Sequence, residues 1–227
     1  MDSRNLPVLH SARDLSIDYP DVNPHIPEMQ ALKTREKITQ NGAYTDDGRA
    51  YVEKRAILQI LATDAKGANR FYNGLENEDK LERGKNRYAS VASLNKELSE
   101  RVQEPRDTIV RERLRDAENC LNAMRDAPEL EKLREVEESK NRKEQPLLKR
   151  KKIRAEGIRA CQLTGEDLDP SAAAHHIERR ADKPRRSRDM DNIVVVNPPP
   201  HDDIHRSGAE SGEELKALCE KRGWKRQ

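Results

Sequence analysis

Residues 173–206 read AAHHIERRADKPRRSRDMDNIVVVNPPPHDDIHR. Four of the six histidines of the chain lie in this stretch, and His201 and His205 are four residues apart. On a helix two residues at this spacing share one face, which is the arrangement that two imidazoles need to bind one metal ion. Residues 193–196 are a β-branched run typical of a strand. The stretch therefore predicts a strand or loop with the first two histidines, a long loop, a second strand and a helix.

The residues around the histidines support this order. The prolines from Pro198 to Pro200 precede the helix, and proline is tolerated at a helix start. The adjacent pair, His175 and His176, follows a run of small residues and fits the end of a strand. A lone histidine is most often structural, and this is the interpretation for His10 and His25. Chance is a weaker explanation for four histidines clustered within one short segment.

This order of residues resembles the ββα-metal fold of His-Asn-His (HNH) nucleases, and is most similar to the DNase domains of bacterial colicins and pyocins. The likeness rests on the pair at 175–176, on Asn192 after Asp189-Met190-Asp191, on the strand at 193–196 and on the segment 201–206. The segment from Cys161 to Gly165 resembles the opening β-hairpin of many other HNH domains. The resemblance covers residues 161–224, and no family is recognised for residues 1–148.

The resemblance implies a role for each matching residue. His175, His201 and His205 would bind one divalent metal ion, and His176 would be the general base. Asn192 would hold the two arms of the motif together and keep the base oriented. Mg, Mn, Ni and Zn all remain candidates for the ion, because imidazole and phosphate oxygen favour different metals. The expected nucleic-acid contacts are Arg179, Arg180, Lys183, Arg185, Arg186, Arg188 and Arg206.

Two features depart from the bacteriocin pattern. Ala173 stands where those nucleases carry a carboxylate two residues before the histidine pair, so Glu178 or Asp191 would orient a histidine instead, or the site is tuned differently. The loop from His176 to Asn192 is one residue longer and very basic. Its charge favours contact with the DNA backbone, and a disordered, solvated loop is the alternative.

Phosphodiester hydrolysis explains why these residue types are needed. An imidazole changes its protonation state near neutral pH, so it can take a proton from the attacking water. A divalent cation neutralises the scissile phosphate and the leaving oxygen. Three neutral imidazoles leave coordination positions open for phosphate and water, as a catalytic metal site requires.

The composition predicts a helical protein with a basic C-terminal end. Of the 227 residues 33% are hydrophobic and 38% charged, with one Trp and one Phe, which favours helices with solvated outer faces. Cys120, Cys161 and Cys219 form no CxxC pair and predict reduced, buried thiols. Residues 149–227 carry 18 Lys/Arg and 14 Asp/Glu, against 26 and 28 in residues 1–148. This difference fits a phosphate-binding end, although a solvated charged surface explains it equally well.

The expected fold class is mainly α, with a helical N-terminal region and a small α+β module of the ββα-metal HNH type at the C-terminus. Hydrophobic periodicity and the prolines predict helices after Pro27, over residues 47–66, and over residues 78–126 with a break at Pro105. A helical bundle is the ordinary interpretation, and a helical arm that binds a protein partner or DNA is the alternative. The expected domains are an extended or partly disordered lead-in (1–26), a helical domain (27–140), a basic linker (141–157) and the HNH nuclease domain (158–227).

The leading functional hypothesis is a metal-dependent DNA endonuclease of a phage, defence, homing or restriction system, which the helical region targets. Low sequence specificity is expected, because no base-reading helix is evident. One alternative is an antibacterial DNase toxin with an immunity partner. Another is a non-catalytic nucleic-acid-binding or assembly factor with a degenerate HNH module, which Ala173 favours.

The sequence also bears on location. No apolar run approaches the roughly 18 residues that a membrane span needs, so no membrane partner is expected. The first residues lack the apolar stretch of a signal peptide. A cytoplasmic protein is the expectation, with export by a route that needs no signal peptide as an open alternative.

Overall fold

The computed structural model describes residues 7–224. The chain divides into two compact units, Met1–Glu137 (unit 1) and Glu138–Gln227 (unit 2). The protein is mainly helical with antiparallel sheets, which confirms the coarse expectation of a mainly helical α+β fold. Residues 1–6 of the expected lead-in and residues 225–227 of the expected nuclease domain lie outside the described part of the chain.

Unit 1 contains an antiparallel sheet that the periodicity analysis did not predict. Its strands are β1 (Leu9–Ser11), β2 (Gly42–Thr45), β3 (Ala50–Glu53), β4 (Lys80–Arg83) and β5 (Asn86–Ser90). They are arranged in the order β1-β2-β3-β5-β4. The expected extended lead-in is therefore ordered in part, because β1 pairs with β2 and Ala12 is fully buried.

The helices of unit 1 are α1 (Glu28–Asn41), α2 (Lys54–Ile60), α3 (Ala65–Gly74), α4 (Val91–Gln103), α5 (Thr108–Arg125) and α6 (Pro128–Glu144), whose end continues into unit 2. Two predictions from proline are confirmed. Helix α1 begins directly after Pro27, and Pro105 lies in the break between α4 and α5. Pro128 is the first residue of α6, a position that proline tolerates.

The prediction of one helix over residues 47–66 is wrong. Strand β3 pairs with β2 on one side and with β5 on the other, which buries Tyr51 and Val52 in the sheet. Sheet pairing between distant segments overrides the local helical pattern here. Gly67, directly after the predicted helix, lies in the first turn of α3, where its N–H donates to the N-cap Asp64 at 2.7 Å.

The prediction that a helix begins near residue 78 is also wrong. Residues 80–90 form the hairpin of β4 and β5, in which Arg83 pairs with Asn86. Gly84 has a φ of 61°, which fits the first position of a two-residue hairpin turn. Leu94 and Leu98 follow on α4, within the predicted helical range, and are fully buried.

The core of unit 1 lies between the sheet and its helices. Helix α5 packs against α4 and α1, and a buried ion pair joins α1 to α5. The guanidinium of Arg35 donates two hydrogen bonds to the carboxylate of Asp116, at 2.9 and 3.0 Å. The largest fully buried side chains are Tyr51, Ile38, Ile57, Ile60, Leu61, Leu94, Leu98, Leu114, Leu121, Met124 and Leu130.

Unit 2 has the order that the C-terminal sequence predicts. After α7 (Leu148–Glu156) come β6 (Ala173–His176), β7 (Ile193–Val196), α8 (Pro198–Ser207) and α9 (Gly212–Arg222). Strands β6 and β7 form an antiparallel pair. The hydrophobic core of unit 2 comprises Cys161, Leu163, Ile177, Val194, Val196, Ile204, Ala209, Leu215, Leu218 and Cys219, with Trp224 packed against it. None of the described helices has the length and apolar character to cross a bilayer.

The segment expected to be a basic linker, residues 141–157, is helical over most of its length and packs onto unit 2. Lys152 is only 5% exposed, and its ammonium donates to the carbonyl of Met190 at 2.7 Å. Lys149 donates to the carbonyl of Ala172 at 2.8 Å, just before β6. Because a lysine stem can be buried while its ammonium satisfies a carbonyl, a basic composition did not distinguish a packed helix from a linker.

The last helix of unit 2 is capped and packed. Ser211 caps α9 by accepting a hydrogen bond from the N–H of Glu214 at 3.2 Å, and Leu215 and Leu218 of this helix are buried. The three cysteines are buried and form no disulfide, as expected.

Candidate metal centre

Strand β6 delivers two adjacent histidines to different surroundings. In the pairing with β7, His175 lies opposite Val194 and His176 opposite Ile193. Successive side chains of a strand project to opposite faces. The His175 ring accordingly lies 5.4 Å from the rings of both α8 histidines, measured between centroids, while His176 contacts the loop that precedes β7.

Helix α8 supplies the other two imidazoles. Its N-cap is Asn197, and prolines fill its first positions, where an N–H would lack a helical partner. His201 and His205 lie one turn apart on the same face, with their ring centroids 4.5 Å apart and their Nε2 atoms 3.2 Å apart. The predicted i, i+4 pair is therefore present in the structure.

His175, His201 and His205 form a group that could hold a metal ion. One ligand nitrogen from each residue lies within 4.8 Å of the other two. Two nitrogens bound tetrahedrally to one zinc ion are about 3.3 Å apart, close to the Nε2 separation on α8. The Nε2 atom of His175 is buried and has no hydrogen-bond partner among the described residues, which suits a lone pair aimed at an ion.

Burial and neighbouring charge favour the neutral form of His175 and His201. Burial, followed by the charges of His201 and His205, lowers the pKa of His175 from 6.5 to about 4. Burial, and after it His205, also lowers the pKa of His201. A metal ion binds the neutral imidazole, so a low pKa leaves the lone pair available at neutral pH.

We expect the stability of metal-free unit 2 to fall as the pH is lowered from 7 to 4. Below its usual pKa, His175 binds a proton in the unfolded chain but stays neutral in the folded one down to about pH 4. The unfolded state is therefore favoured by up to about 3 kcal/mol at the low end of this window. Urea unfolding followed by Trp224, the single tryptophan, which packs on the unit 2 core, measures the effect in the presence of a chelator.

A His175→Gln variant should lose most of this pH dependence, because glutamine does not titrate. The matched control is His25→Gln, which alters an exposed histidine of unit 1 and should leave the profile unchanged. Equal slopes for the wild type and His175→Gln between pH 7 and 4 would contradict the assignment.

His176, the predicted base, is held by a backbone carbonyl. Its Nε2 donates to the carbonyl oxygen of Ser187 at 2.9 Å. This contact places the proton on Nε2 and leaves the lone pair on Nδ1, so Nδ1 can accept a proton. The amide of Gln145 donates to the same carbonyl at 3.1 Å. Gln145 lies in the expected linker, 42 residues before Ser187, and nothing in its sequence context indicated this contact.

Asn192 connects the strand end to the basic loop. It is fully buried, and its Oδ1 accepts a hydrogen bond from the N–H of Glu178 at 2.9 Å. Its Nδ2 donates to the carbonyls of Glu178 and Arg186, both at 3.1 Å. One side chain thus fixes both ends of the loop that positions Ser187, an arrangement compatible with the role that the resemblance implies.

Two further polar residues that the sequence analysis did not select support the site. Asn197 accepts from the N–H of Asp169 at 2.9 Å and donates to the carbonyl of Asp167 at 3.1 Å. Gln162 pairs with Val195 through its own N–H at 3.0 Å and through its Oε1 at 2.8 Å. An asparagine before a run of prolines is a recognisable helix-start signal, and it was the available clue to Asn197.

The carboxylates proposed to orient a histidine do not supply the hydrogen bond that holds Nε2 of His176. Its acceptor is instead the Ser187 carbonyl. Glu178 pairs with Arg186 at 2.5 Å. The expectation about Glu178 or Asp191 is therefore wrong for Nε2 of His176, because a main-chain oxygen occupies this position.

The predicted nucleic-acid contacts lie on the basic loop and on α8. Arg180, Lys183 and Arg185 are exposed on the loop. Ion pairs within unit 2 join Arg179 to Glu210, Arg186 to Glu178 and Asp189, Arg188 to Glu144, and Arg206 to Asp203. Phosphate binding by these four arginines would have to compete with the carboxylates that already neutralise them.

No family model matches the chain, and no curated protein or solved structure matches it either. The geometry of unit 2 and the residues that resemble the HNH motif are therefore the observations that bear on its function.

Proposed function

We propose that unit 2 is a metal-dependent HNH-type nuclease module that hydrolyses phosphodiester bonds of DNA. The observation that carries this proposal is the conjunction of two features. Three imidazoles converge on one point, and a fourth, from the residue adjacent in the strand, is fixed with Nδ1 as its proton acceptor. A structural metal site has no need of the fourth imidazole.

The chain would contribute to hydrolysis in three ways. His175, His201 and His205 would hold one divalent ion, which supplies charge neutralisation at the phosphate and at the leaving oxygen. Nδ1 of His176 would take a proton from the attacking water. The Ser187 carbonyl would hold the imidazole in the required tautomer, and Asn192 would hold the loop that carries this carbonyl.

DNA is the proposed substrate because unit 2 offers positively charged side chains to an anionic ligand. Its candidate metal site could also accept a phosphate oxygen. The exposed cations Arg180, Lys183 and Arg185 lie on the loop that joins the base to Asn192. Such contacts would bind the phosphate backbone without reading its sequence. Mg, Mn, Ni and Zn are the ions to test, since the donor set of three nitrogens with added phosphate oxygen accommodates each of them.

The testing experiment is plasmid cleavage by the full chain with Mg, Mn, Ni, Zn or a chelator. We expect nicking or linearisation with at least one metal and none with the chelator. The His201→Ala variant should lose both cleavage and the stabilisation of unit 2 that added metal gives, because it lacks one of the three imidazoles. A matched control is His10→Ala in unit 1, which should behave as the wild type. Metal-independent cleavage, or no cleavage with any metal, would overturn the proposal.

The biological setting is proposed separately from the chemistry. We propose a phage, defence, homing or restriction role, in which unit 1 directs the nuclease to its target. Tolerated expression without a protecting protein supports this role. Damage to the host chromosome that a neighbouring immunity protein prevents would support the antibacterial toxin instead.

A further inference from the structure

Unit 1 contains two short helices joined as in a helix-turn-helix. Helix α2 ends at Ile60, α3 begins at Ala65, and the two helices pack against each other. The connection turns through Ala62, which has a φ of 44° and is the sole non-glycine residue with positive φ among residues 7–224. A turn of three or four residues between two packed helices is the feature that defines this motif in DNA-binding proteins.

A β-hairpin follows the second helix and lies beside it. Strands β4 and β5 come directly after α3, and β5 pairs with β3, the strand that precedes α2. Asn69 of α3 and Lys85 of the hairpin turn line one concave surface together with Lys54 and Arg55 of α2. The strand pairing thus fixes the hairpin as a projection next to α3.

Helix α3 buries one face and exposes the other. Ala68 and Tyr72 are buried in the core of unit 1. The opposite face exposes Lys66, Asn69, Arg70 and Asn73, at the helical spacing of three and four residues. Asparagine and arginine are the side chains that form bidentate hydrogen bonds with adenine and guanine in the major groove.

Basic residues are concentrated in the segments that form this surface. The segments 54–60, 65–74 and 83–87 together carry seven Lys/Arg and no Asp/Glu, whereas the rest of residues 1–137 carries 16 Lys/Arg and 26 Asp/Glu. Two of the seven cations are paired, Arg55 with Glu53 at 2.8 Å and Arg87 with Glu82 at 3.4 Å. Glu53 also lines the concave surface of Asn69 and Lys85, and carboxylates share the neighbouring cleft with Lys66 and Arg70. The excess of cations in these segments over the rest of unit 1 favours a polyanion as the ligand.

We propose that unit 1 binds duplex DNA, with the exposed face of α3 in the major groove and the turn of the β4–β5 hairpin on the adjacent phosphates. This inference goes beyond the proposed nuclease function and does not depend on it. It also replaces the expectation of low sequence specificity, because α3 presents groups that read base edges. Duplex DNA is favoured over single strands because no aromatic side chain lies on the exposed face of α3 to stack on unpaired bases.

The first test is selection of duplexes from a random library by the full chain in the presence of a chelator, so that binding is measured without cleavage. We expect a short sequence to be enriched. In the Asn69→Ala/Arg70→Ala variant, the ratio of affinities for that sequence and for a scrambled duplex should fall by about 5-fold to 150-fold. The matched control changes the same dipeptide on α6, Asn141→Ala/Arg142→Ala, and should keep the preference.

A second variant keeps the inference testable if changes in α3 disturb folding, which circular dichroism would reveal. Arg83→Gln/Lys85→Gln alters the exposed hairpin and should weaken binding to all duplexes alike. The slope of log affinity against log salt should fall by about 0.9 for each phosphate contact removed. Lys33→Gln/Lys132→Gln, which removes two exposed cations elsewhere in unit 1, is the matched control and should leave the slope unchanged.

Three results would overturn the inference. The first is that no duplex is enriched. The second is an enriched sequence that the α3 variant still prefers, together with a hairpin variant whose salt dependence of affinity equals that of the wild type. The third is tighter binding of a single-stranded RNA than of any duplex. Selective duplex binding by a protein that cuts with no metal would support this inference and overturn the proposed nuclease, so the two failures are distinguishable.

Discussion

Replacing His176 with alanine should lower the rate of plasmid cleavage by about 100-fold to 10,000-fold, the usual contribution of a general base. The variant should still bind metal, because the proposed ligands are His175, His201 and His205. Initial rates of nicking at saturating metal, together with calorimetric metal titration, would measure the two effects separately. Loss of cleavage with unchanged metal affinity is the expected pair of results.

A second substitution separates proton transfer from loop positioning. In His176→Gln the side-chain amide can still donate to the Ser187 carbonyl, which His176 contacts at 2.9 Å, but it cannot take a proton at neutral pH. We expect His176→Gln to be as inactive as His176→Ala. If glutamine restored cleavage, His176 would be a positioning residue and another group would be the base. If neither variant lost activity, His176 would not be the base. A wild type that is itself inactive would favour the non-catalytic, degenerate module over the enzyme.

Replacing Asn192 with alanine should destabilise unit 2 by about 3–5 kcal/mol, because each buried polar group left without a partner costs roughly 1–3 kcal/mol. The change strands three backbone groups at once, the N–H and carbonyl of Glu178 and the carbonyl of Arg186. We expect cleavage to be lost in parallel, since the loop no longer holds the Ser187 carbonyl against His176.

Urea unfolding of the metal-free protein, followed by Trp224 fluorescence, would measure the loss for unit 2 alone. Asn192→Asp tests the geometry, because a carboxylate still accepts from the Glu178 N–H but faces two carbonyl oxygens without a proton to donate. Arg180→Ala is the matched control on the same loop, and its exposed side chain should leave the midpoint unchanged. A midpoint for Asn192→Ala equal to that of the control would show that the loop does not depend on this amide.

The local part of the candidate site follows from the sequence. The spacing of His201 and His205 places both rings on one helix face, and the β-branched run at 193–196 forms a strand that pairs with the strand of His175. These relations depend on helix and strand periodicity over a few residues. The contact of Gln145 with Ser187 joins residues 42 positions apart, and no local pattern encodes it.

The fold of unit 1 was harder to predict for a related reason. The short strand Ala50–Glu53 leads directly into α2, and together they extend one apolar pattern that reads as a single helix. Pairing with β2 and β5 decides the outcome, and both partners lie outside this pattern. The hairpin of β4 and β5 has polar residues on both faces toward its turn, so alternation does not reveal it.

The support of His176 by a main-chain oxygen constrains how this protein can diversify. A carbonyl is present whatever side chain occupies position 187, so a replacement that fits this buried position preserves the acceptor for His176. Arg180 and Arg185 are exposed, and exchanging either would alter the proposed phosphate contacts without moving that oxygen. Inserting or deleting one residue between Glu178 and Arg186 would shift it, because Asn192 is bonded to both ends. Homologues that keep this contact should therefore tolerate substitutions at exposed loop positions more readily than a change in loop length.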